Sequence, residues 1–199
     1  MKNIAVLILA AGKSSRMKAI KQLEKIDKKT LLEITLEKVQ TLFSSTIYCI
    51  VGANADKIKA ETTTKNIEFI KNNNFKNGLS SSIVSGIQYF KANNLNFEGV
   101  FILLADQPAI DVAYLKDMIH LFNINKEVII ASNYGEKFGV PAIIPEKYFS
   151  NLLLIQGDKG AKEFINSRKN EIISSKLNTN LVDIDTKEDL QRYKNSILK

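Results

Sequence analysis

The sequence predicts an α/β fold, a mostly parallel central sheet with helices on both faces, and two patterns carry that prediction. Apolar runs of strand length recur at residues 3–10, 46–51, 99–105, 127–131 and 181–185. Helical periodicities lie between or after them, at 29–43, 79–92, 112–122, 158–168 and 187–198. Strands that alternate with helices of this length are joined by crossovers, which place neighbouring strands parallel and cover both faces. In such sheets a ligand lies beyond the carboxyl ends of the strands, so the residues that follow each strand are the ones to read for chemistry.

The run 3–10 (NIAVLILA) is apolar throughout, as a strand buried on both faces requires. The run ends at Ala10; Ala11 and Gly12 follow, then Ser14, Arg16 and, further on, Lys21. A turn of small residues lets backbone N–H groups approach a phosphate, and Arg16 and Lys21 add positive charge. The loop has neither the Walker spacing nor the G-x-G-x-x-G fingerprint, so an ordinary strand-to-loop connection is the plain alternative. In the second run Cys49 reads as a small buried hydrophobe, and Tyr48, Tyr89 and Phe90 read as core. Gly78, Ser81 and Ser82 open the helix 79–92, where free backbone donors and hydroxyls suit a nucleotide, or a serine simply caps the helix.

Asp106 follows the run 99–105 at the tip of a central strand, where a hard carboxylate oxygen suits magnesium shared with substrate phosphates; the alternative is a turn before Pro108. His120, the only histidine, lies in a helical segment with no neighbouring motif and reads as surface or packing. Pro141, within 138–144 (FGVPAII), indicates an edge strand or a break in strict alternation. Before the helix 158–168, Asp158 reads as a cap and Lys159 as a contact for an anionic acceptor. Within 181–185, alternation places Asp183 and Asp185 on one face. Asp185 at the tip could supply a second carboxylate to the metal, or Asp185 or Thr186 could cap the last helix, with Glu188 and Asp189 favouring its N-terminus.

Composition bounds the alternatives. At 199 residues, with 45% hydrophobic and 25% charged residues, 9 Gly and 3 Pro, the chain reads as one folded domain spanning 1–199. No apolar run reaches the roughly 18 residues of a membrane span. A lone cysteine excludes an internal disulfide and a paired-cysteine zinc site, and points to the cytoplasm. The net charge of +7 arises in residues 1–100, where the lysines are spread over helix faces rather than interleaved with aromatics. That pattern describes a solvated surface, not a nucleic-acid partner.

Taken in order, LILAAGKSSRM with Lys21, NGLSSSIVSGI, LLADQP, FGVPAII, LIQGDKGA and DIDTKEDL resemble the MobA-like family of nucleotidyltransferases, most of all its molybdopterin cytidylyltransferase branch. The resemblance spans nearly the whole chain. It implies a Rossmann-like α/β nucleotidyltransferase fold, Mg²⁺ as cofactor, and transfer of a nucleoside monophosphate to an acceptor phosphate with release of pyrophosphate. By position, Gly12, Ser14, Arg16 and Lys21 would hold the triphosphate, and Asp106 and Asp185 would hold the metal. Gly139 and Pro141 would join Asp158 and Lys159 on the acceptor side. Ala-Ala-Gly in the first motif resembles the CTP-using branch, whereas guanylyltransferases of the family tend to carry Ala-Gly-Gly.

The implied partners are CTP, or another NTP such as GTP, and a small phosphorylated acceptor, molybdopterin, with a molybdenum hydroxylase receiving the product and neither nucleic acid nor membrane involved. Two departures stand out. Lys18 occupies a position where the family often has glycine, and Gly139-Val140-Pro141 stands where the branch often has G-H-P. A sugar or polyol phosphate as acceptor, and a non-catalytic carrier of the pterin cofactor, are the alternative readings.

Overall fold

Strand β1 (Ile4–Ala10) is buried at every residue and forms the axis of the structure. The computed structural model describes residues 4–12, 14, 16, 17 and 19–197; the expectations that touch Asn3, Lys18 and Leu198 lie outside them. After β1 come a small hairpin, β2 (Lys25–Ile26) and β3 (Lys29–Thr30), helix α1 (Leu31–Gln40), β4 (Ile47–Val51), α2 (Ala55–Glu61) and β5 (Ile67–Lys71). Helix α3 (Leu79–Ala92), β6 (Gly99–Leu104), α4 (Val112–Ile124), β7 (Ile129–Asn133) and β8 (Phe138–Pro145) follow. The chain continues through α5 (Phe149–Leu152), α6 (Gly160–Asn166), β9 (Ile172–Ile173) and α7 (Lys187–Ile197).

Seven strands form one sheet in the order β5-β4-β1-β6-β8-β7-β9. Every pairing is parallel except those of β8, which runs antiparallel to both β6 and β7. The uninterrupted apolar run of β1 follows from its two covered faces. Ile4, Val6, Ile8 and Ala10 pack with Leu32, Leu36, Leu115 and Met118 of α1 and α4, while Ala5, Leu7 and Leu9 pack with Ile83, Ile87 and Phe90 of α3. Each such aliphatic side chain contributes about 1.5–3 kcal/mol by leaving water. A third cluster joins Met17, Ile26 and Leu31 to Ile184 and Leu190, and thereby fastens the C-terminal segment beside the loop after β1.

Thr30 and Glu33 form a reciprocal capping box, so α1 starts at Leu31, two residues inside the predicted span. Glu33 also accepts a bond from the Thr63 hydroxyl at 2.9 Å. The short α2 and β5 are absent from the sequence reading because polar residues interrupt both. Pro141 lies in an interior strand, not an edge. It is accommodated where the register shifts from Ala131↔Ala142 to Ser132↔Gly139, which leaves Val140 and Pro141 out of register with any residue of β7.

The predicted strand at 181–185 does not form. Val182 is exposed, Ile184 is the one buried residue of the five, and the segment crosses the end of β6 with a single backbone bond, Ile184 N to Asp106 O at 2.9 Å. Apolar alternation there reflects one anchoring side chain and not a ladder.

Gly52 ends β4 against the end of β1, and a Cβ on it would stand 2.5 Å from Ala11 O and 3.1 Å from Ala11 Cβ. Gly52→Ala should therefore lower stability by about 1–3 kcal/mol in urea unfolding, since backbone must move to admit it. A loss below about 0.5 kcal/mol would mean that the two strand ends separate freely.

Candidate functional site

Because β1 and β6 pair in parallel, their carboxyl ends lie side by side, and a cleft of about 400 Å³ opens above them. Ala11, Gly12, Lys21, Ser82, Asp106 and Asp158 are among its lining residues. The loop after β1 is held by a side chain that the sequence reading passed over. Gln22 is buried, and its Nε2 donates to Ala10 O at 2.9 Å and Gly12 O at 3.3 Å. The Ser14 hydroxyl accepts from Lys21 N at 2.9 Å and donates to Gln22 Oε1 at 3.3 Å, while Ser14 itself takes a left-handed φ of 55°. Ser14 thus braces the loop through its side chain. The available signal for Gln22 was a lone amide between Lys21 and an apolar leucine.

Lys21 Nζ donates to Asp106 Oδ2 and, at 2.8 Å, to Asp185 Oδ1; Arg16 Nη2 meets Asp185 Oδ2 at 2.8 Å. Three segments, after β1, after β6 and before α7, converge on one ammonium. Burial opposes the charge of Lys21, but Asp106 and then Asp185 outweigh it and hold the ammonium above its ordinary range. Lost solvation works against the Asp185 charge too, yet Lys21 and Arg16 keep that carboxyl below the usual range. At the neighbouring Asp183 lost solvation and then the Asp106 carboxylate prevail and push it up to about 6, against the Gln107 amide and the Lys21 charge, which favour its ionised form.

Asp106 Oδ1 is buried without a hydrogen-bond partner, so the cluster retains an uncommitted hard oxygen. No group of three metal-ligating side chains occurs among the described residues. Two carboxylates, of which Asp106 keeps one oxygen free, fit an ion such as Mg²⁺ that takes its other ligands from phosphate and water. Thr186 meanwhile performs the capping alternative: its Oγ1 accepts from Asp189 N at 3.1 Å, and Asp189 Oδ2 accepts from Thr186 N at 2.9 Å. Thr186 caps α7, which leaves Asp185 to the charged cluster.

The start of α3 departs from expectation. Its first N–H groups are not free, because Leu79 N donates to Asp158 Oδ1 at 3.2 Å, Ser80 N to Gly157 O at 3.2 Å and Ser81 N to Gly78 O at 3.1 Å. Asp158 thus caps α3 rather than α6, whose N-cap is Lys159 without a side-chain bond. Gly78 is required there: its φ is +90°, and a Cβ would lie 2.5 Å from Gly157 C. The Ser81 and Ser82 hydroxyls both accept from the buried Asn72 amide, at 2.8 and 3.1 Å. Gly78 and Ser82 stay on the cleft wall, and Ser81 turns its hydroxyl toward Gly78 O.

A second cavity of about 200 Å³ shares Leu79, Leu104 and Asp158 with the first, so the two form one crevice with two chambers. Gly139, Val140, Gln107, Tyr134, Lys162 and Asp183 also line it. Pro141 is set back from this lining, its carbonyl accepting from Ser132 Oγ at 2.9 Å. Lys159 faces a separate depression with Lys137, Lys162 and Lys169, so Lys162, one turn further on, is the lysine that reaches the second chamber. His120 is exposed on α4; Cys49 is buried in β4, which pushes its thiol up to about 12. Tyr48 and Phe90 pack edge to face with centroids 4.8 Å apart, as core.

Comparison with known proteins bears on this geometry. The bifunctional protein GlmU of Francisella philomiragia subsp. philomiragia is 28% identical over 148 residues, which are 73% of this chain and 31% of that protein. The chain thus spans about a third of the length of the curated relatives it matches. A crystal structure of the Rv0371c homologue from Mycobacterium sp. strain JC1 superposes with a TM-score of 0.82 at 24% identity, covering 98% of this chain and 96% of that one. The manganese complex of Rv0371c from Mycobacterium tuberculosis does so at 0.76 and 21%, covering 98% and 100%. These likenesses establish the fold. The model of the MobA-like NTP transferase domain matches residues 6–172, which include the loop after β1, Asp106 and all of the named lining of the second chamber except Asp183; the chain therefore belongs to that family.

Proposed function

We propose that residues 1–199 form one cytoplasmic nucleotidyltransferase domain that moves CMP from CTP to the phosphate of the molybdenum-pterin cofactor and releases pyrophosphate. The observation that carries this reading is the convergence of Asp106, Asp185, Lys21 and Arg16 at the strand ends, beside a crevice divided into two chambers. The chamber bordered by Gly12 and Lys21 takes the nucleotide, and the chamber bordered by Gly139 and Val140 takes the acceptor. CTP is favoured by the Ala-Ala-Gly of the first motif.

An acceptor phosphate oxygen is ionised at neutral pH. It attacks the α-phosphorus directly, a new P–O bond forms as the bond to the pyrophosphate oxygen breaks, and no general base is needed. Histidine is accordingly dispensable. Lys21 and Arg16 stabilise the negative charge gathering on the α-phosphoryl group and the leaving pyrophosphate, while Asp158 and Gln22 keep the two walls in place. Asp106 and Asp185 would hold Mg²⁺, which when bound supplies Lewis-acid charge neutralisation at the phosphates; the manganese of the Rv0371c complex belongs to the same oxygen-seeking class. A molybdenum hydroxylase is the recipient of the product in this reading. Val140, on the acceptor wall where the cytidylyltransferase branch often has histidine, favours a second reading in which another phosphate, of a sugar or polyol, is the acceptor.

The deciding experiment measures pyrophosphate release from each of the four NTPs with molybdopterin and with sugar and polyol phosphates. Release with CTP and molybdopterin is expected; molybdopterin binding without release from any NTP would make the protein a carrier. Asp106→Ala should retain its fold and lose turnover by about 10²–10³-fold or more. Combined with Asp185→Ala it should do less harm than the product of the two single effects, and multiplicative losses in steady-state kinetics would separate the two carboxylates. Arg16→Lys keeps the charge and loses the planar fork, so kcat/KM for CTP should fall about 10–100-fold. Its Tm should barely change, since the Arg16 side chain is 69% exposed; unchanged kinetics would make Arg16 surface charge.

A further inference from the structure

The acceptor chamber has an unusual balance of hydrogen-bonding groups. Gln107 lines it and is only 3% exposed. Its Nε2 donates to Leu181 O at 3.1 Å and to Tyr134 Oη at 3.0 Å, and Tyr134 Oη in turn donates to Val140 O at 2.5 Å. Because the Leu181 carbonyl can only accept, the amide orientation is fixed, and Gln107 Oε1 remains buried with no partner. The charged groups of the same chamber are Asp158, Asp183 and Lys162, and its remaining walls include Leu79, Leu104 and Ile165.

Three of these polar groups accept hydrogen bonds, and two of those are carboxylates. A phosphate placed there would meet more negative charge than positive and would leave the amide oxygen unsatisfied. A flat, partly apolar ring with N–H groups on its edge meets the opposite: apolar walls for its faces and acceptors for its hydrogens. A buried acceptor that lacks a partner discriminates strongly, because a ligand without the matching donor leaves that oxygen desolvated and unpaired.

We propose that Gln107, clamped by Tyr134 and the Leu181 carbonyl, is a specificity-determining residue that reads an N–H donor on the end of the acceptor remote from its phosphate, so that the acceptor enters as an amino-bearing heterocycle with its phosphate turned toward Lys21. The proposal rests on the second chamber being the acceptor site. It assigns Gln107 a task distinct from phosphate chemistry: its amide carbonyl selects the ring, and Lys21 and Arg16 handle the charge.

Two phosphate-free probes test it. Pterin (2-amino-4-oxopteridine) and lumazine (2,4-dioxopteridine) differ in one ring substituent, an amino donor in the first and a carbonyl acceptor in the second. Titration followed by saturation-transfer NMR should give at least about a tenfold preference for pterin in the wild-type protein. Gln107→Met should reduce that preference to near unity while leaving CTP affinity close to wild type, with a lowered Tm because the Leu181 carbonyl loses its buried donor. Tyr134→Phe, which removes only the hydroxyl that holds the amide, should weaken the preference in part and guards against a Met variant that does not fold.

Equal affinity of the wild-type protein for the two probes, no binding of pterin, or a preference that survives in Gln107→Met would each overturn the assignment. These readouts are independent of turnover. Selectivity for pterin without pyrophosphate release from any NTP would leave the Gln107 assignment standing and remove the transfer reaction. Release onto molybdopterin with no discrimination between the probes would do the reverse.

Discussion

One ammonium group holds the functional end of this molecule together. Lys21 is nearly buried and is shared by Asp106 and Asp185, residues 85 and 164 positions away along the chain. With Arg16 on the outer oxygen of Asp185, the cluster balances two positive against two negative charges in a place only partly open to water. Removing either kind of charge would strand the other in a poorly solvated site, so the loop after β1, the tip of β6 and the approach to α7 depend on each other electrostatically. The same balance leaves Asp106 Oδ1 without a hydrogen-bond partner.

Apolar packing sets the charges where they can meet. Met17 and Ile184 bury their side chains in one cluster with Ile26, Leu31 and Leu190, which carries Asp185 to the mouth of the loop after β1. The backbone bond from Ile184 N to Asp106 O then fixes Asp185 against the strand tip. Gln22 performs the corresponding task on the loop itself by bonding the carbonyls on either side of Ala11. Hydrophobic burial therefore bears the cost of ordering a loop whose own small residues contribute little packing.

The division of the crevice has an equally local cause. The turn at 157–158 satisfies the first amides of α3, and Gly78 permits the approach because any side chain there would strike that turn. Asp158 consequently stands on the border between the chambers, with the basic loop on one side and Asp183 and Gln107 of the second chamber on the other. A helix N-terminus that looked open to an anion in the sequence is closed by a tertiary cap. The cations of the site instead come from the loop after β1, as Lys21 and Arg16.

The sequence by itself determined the alternation of strands and helices, because a strand covered on both faces must be apolar at every position, as β1 is, and a crossover helix must carry a 3.6-residue stripe, as α3 does over its predicted span. It also placed Lys21 in the loop after the first strand and Asp106 at the tip of β6, where α/β sheets keep their chemistry, whereas the strand that was to carry Asp185 does not form. Other features belonged to the tertiary structure. Gln22 and Gln107 are polar residues whose burial depends on neighbours distant in the chain, and nothing in their local sequence distinguishes them from solvated amides. Pro141 could be read only as an interruption, since the register shift that admits it involves β7 as well. The segment at 181–185 alternates like a strand, but a ladder needs an open strand edge beside it. The chain instead crosses the end of β6, because burying Ile184 with Met17 and pairing Asp185 with Lys21 and Arg16 satisfy it there.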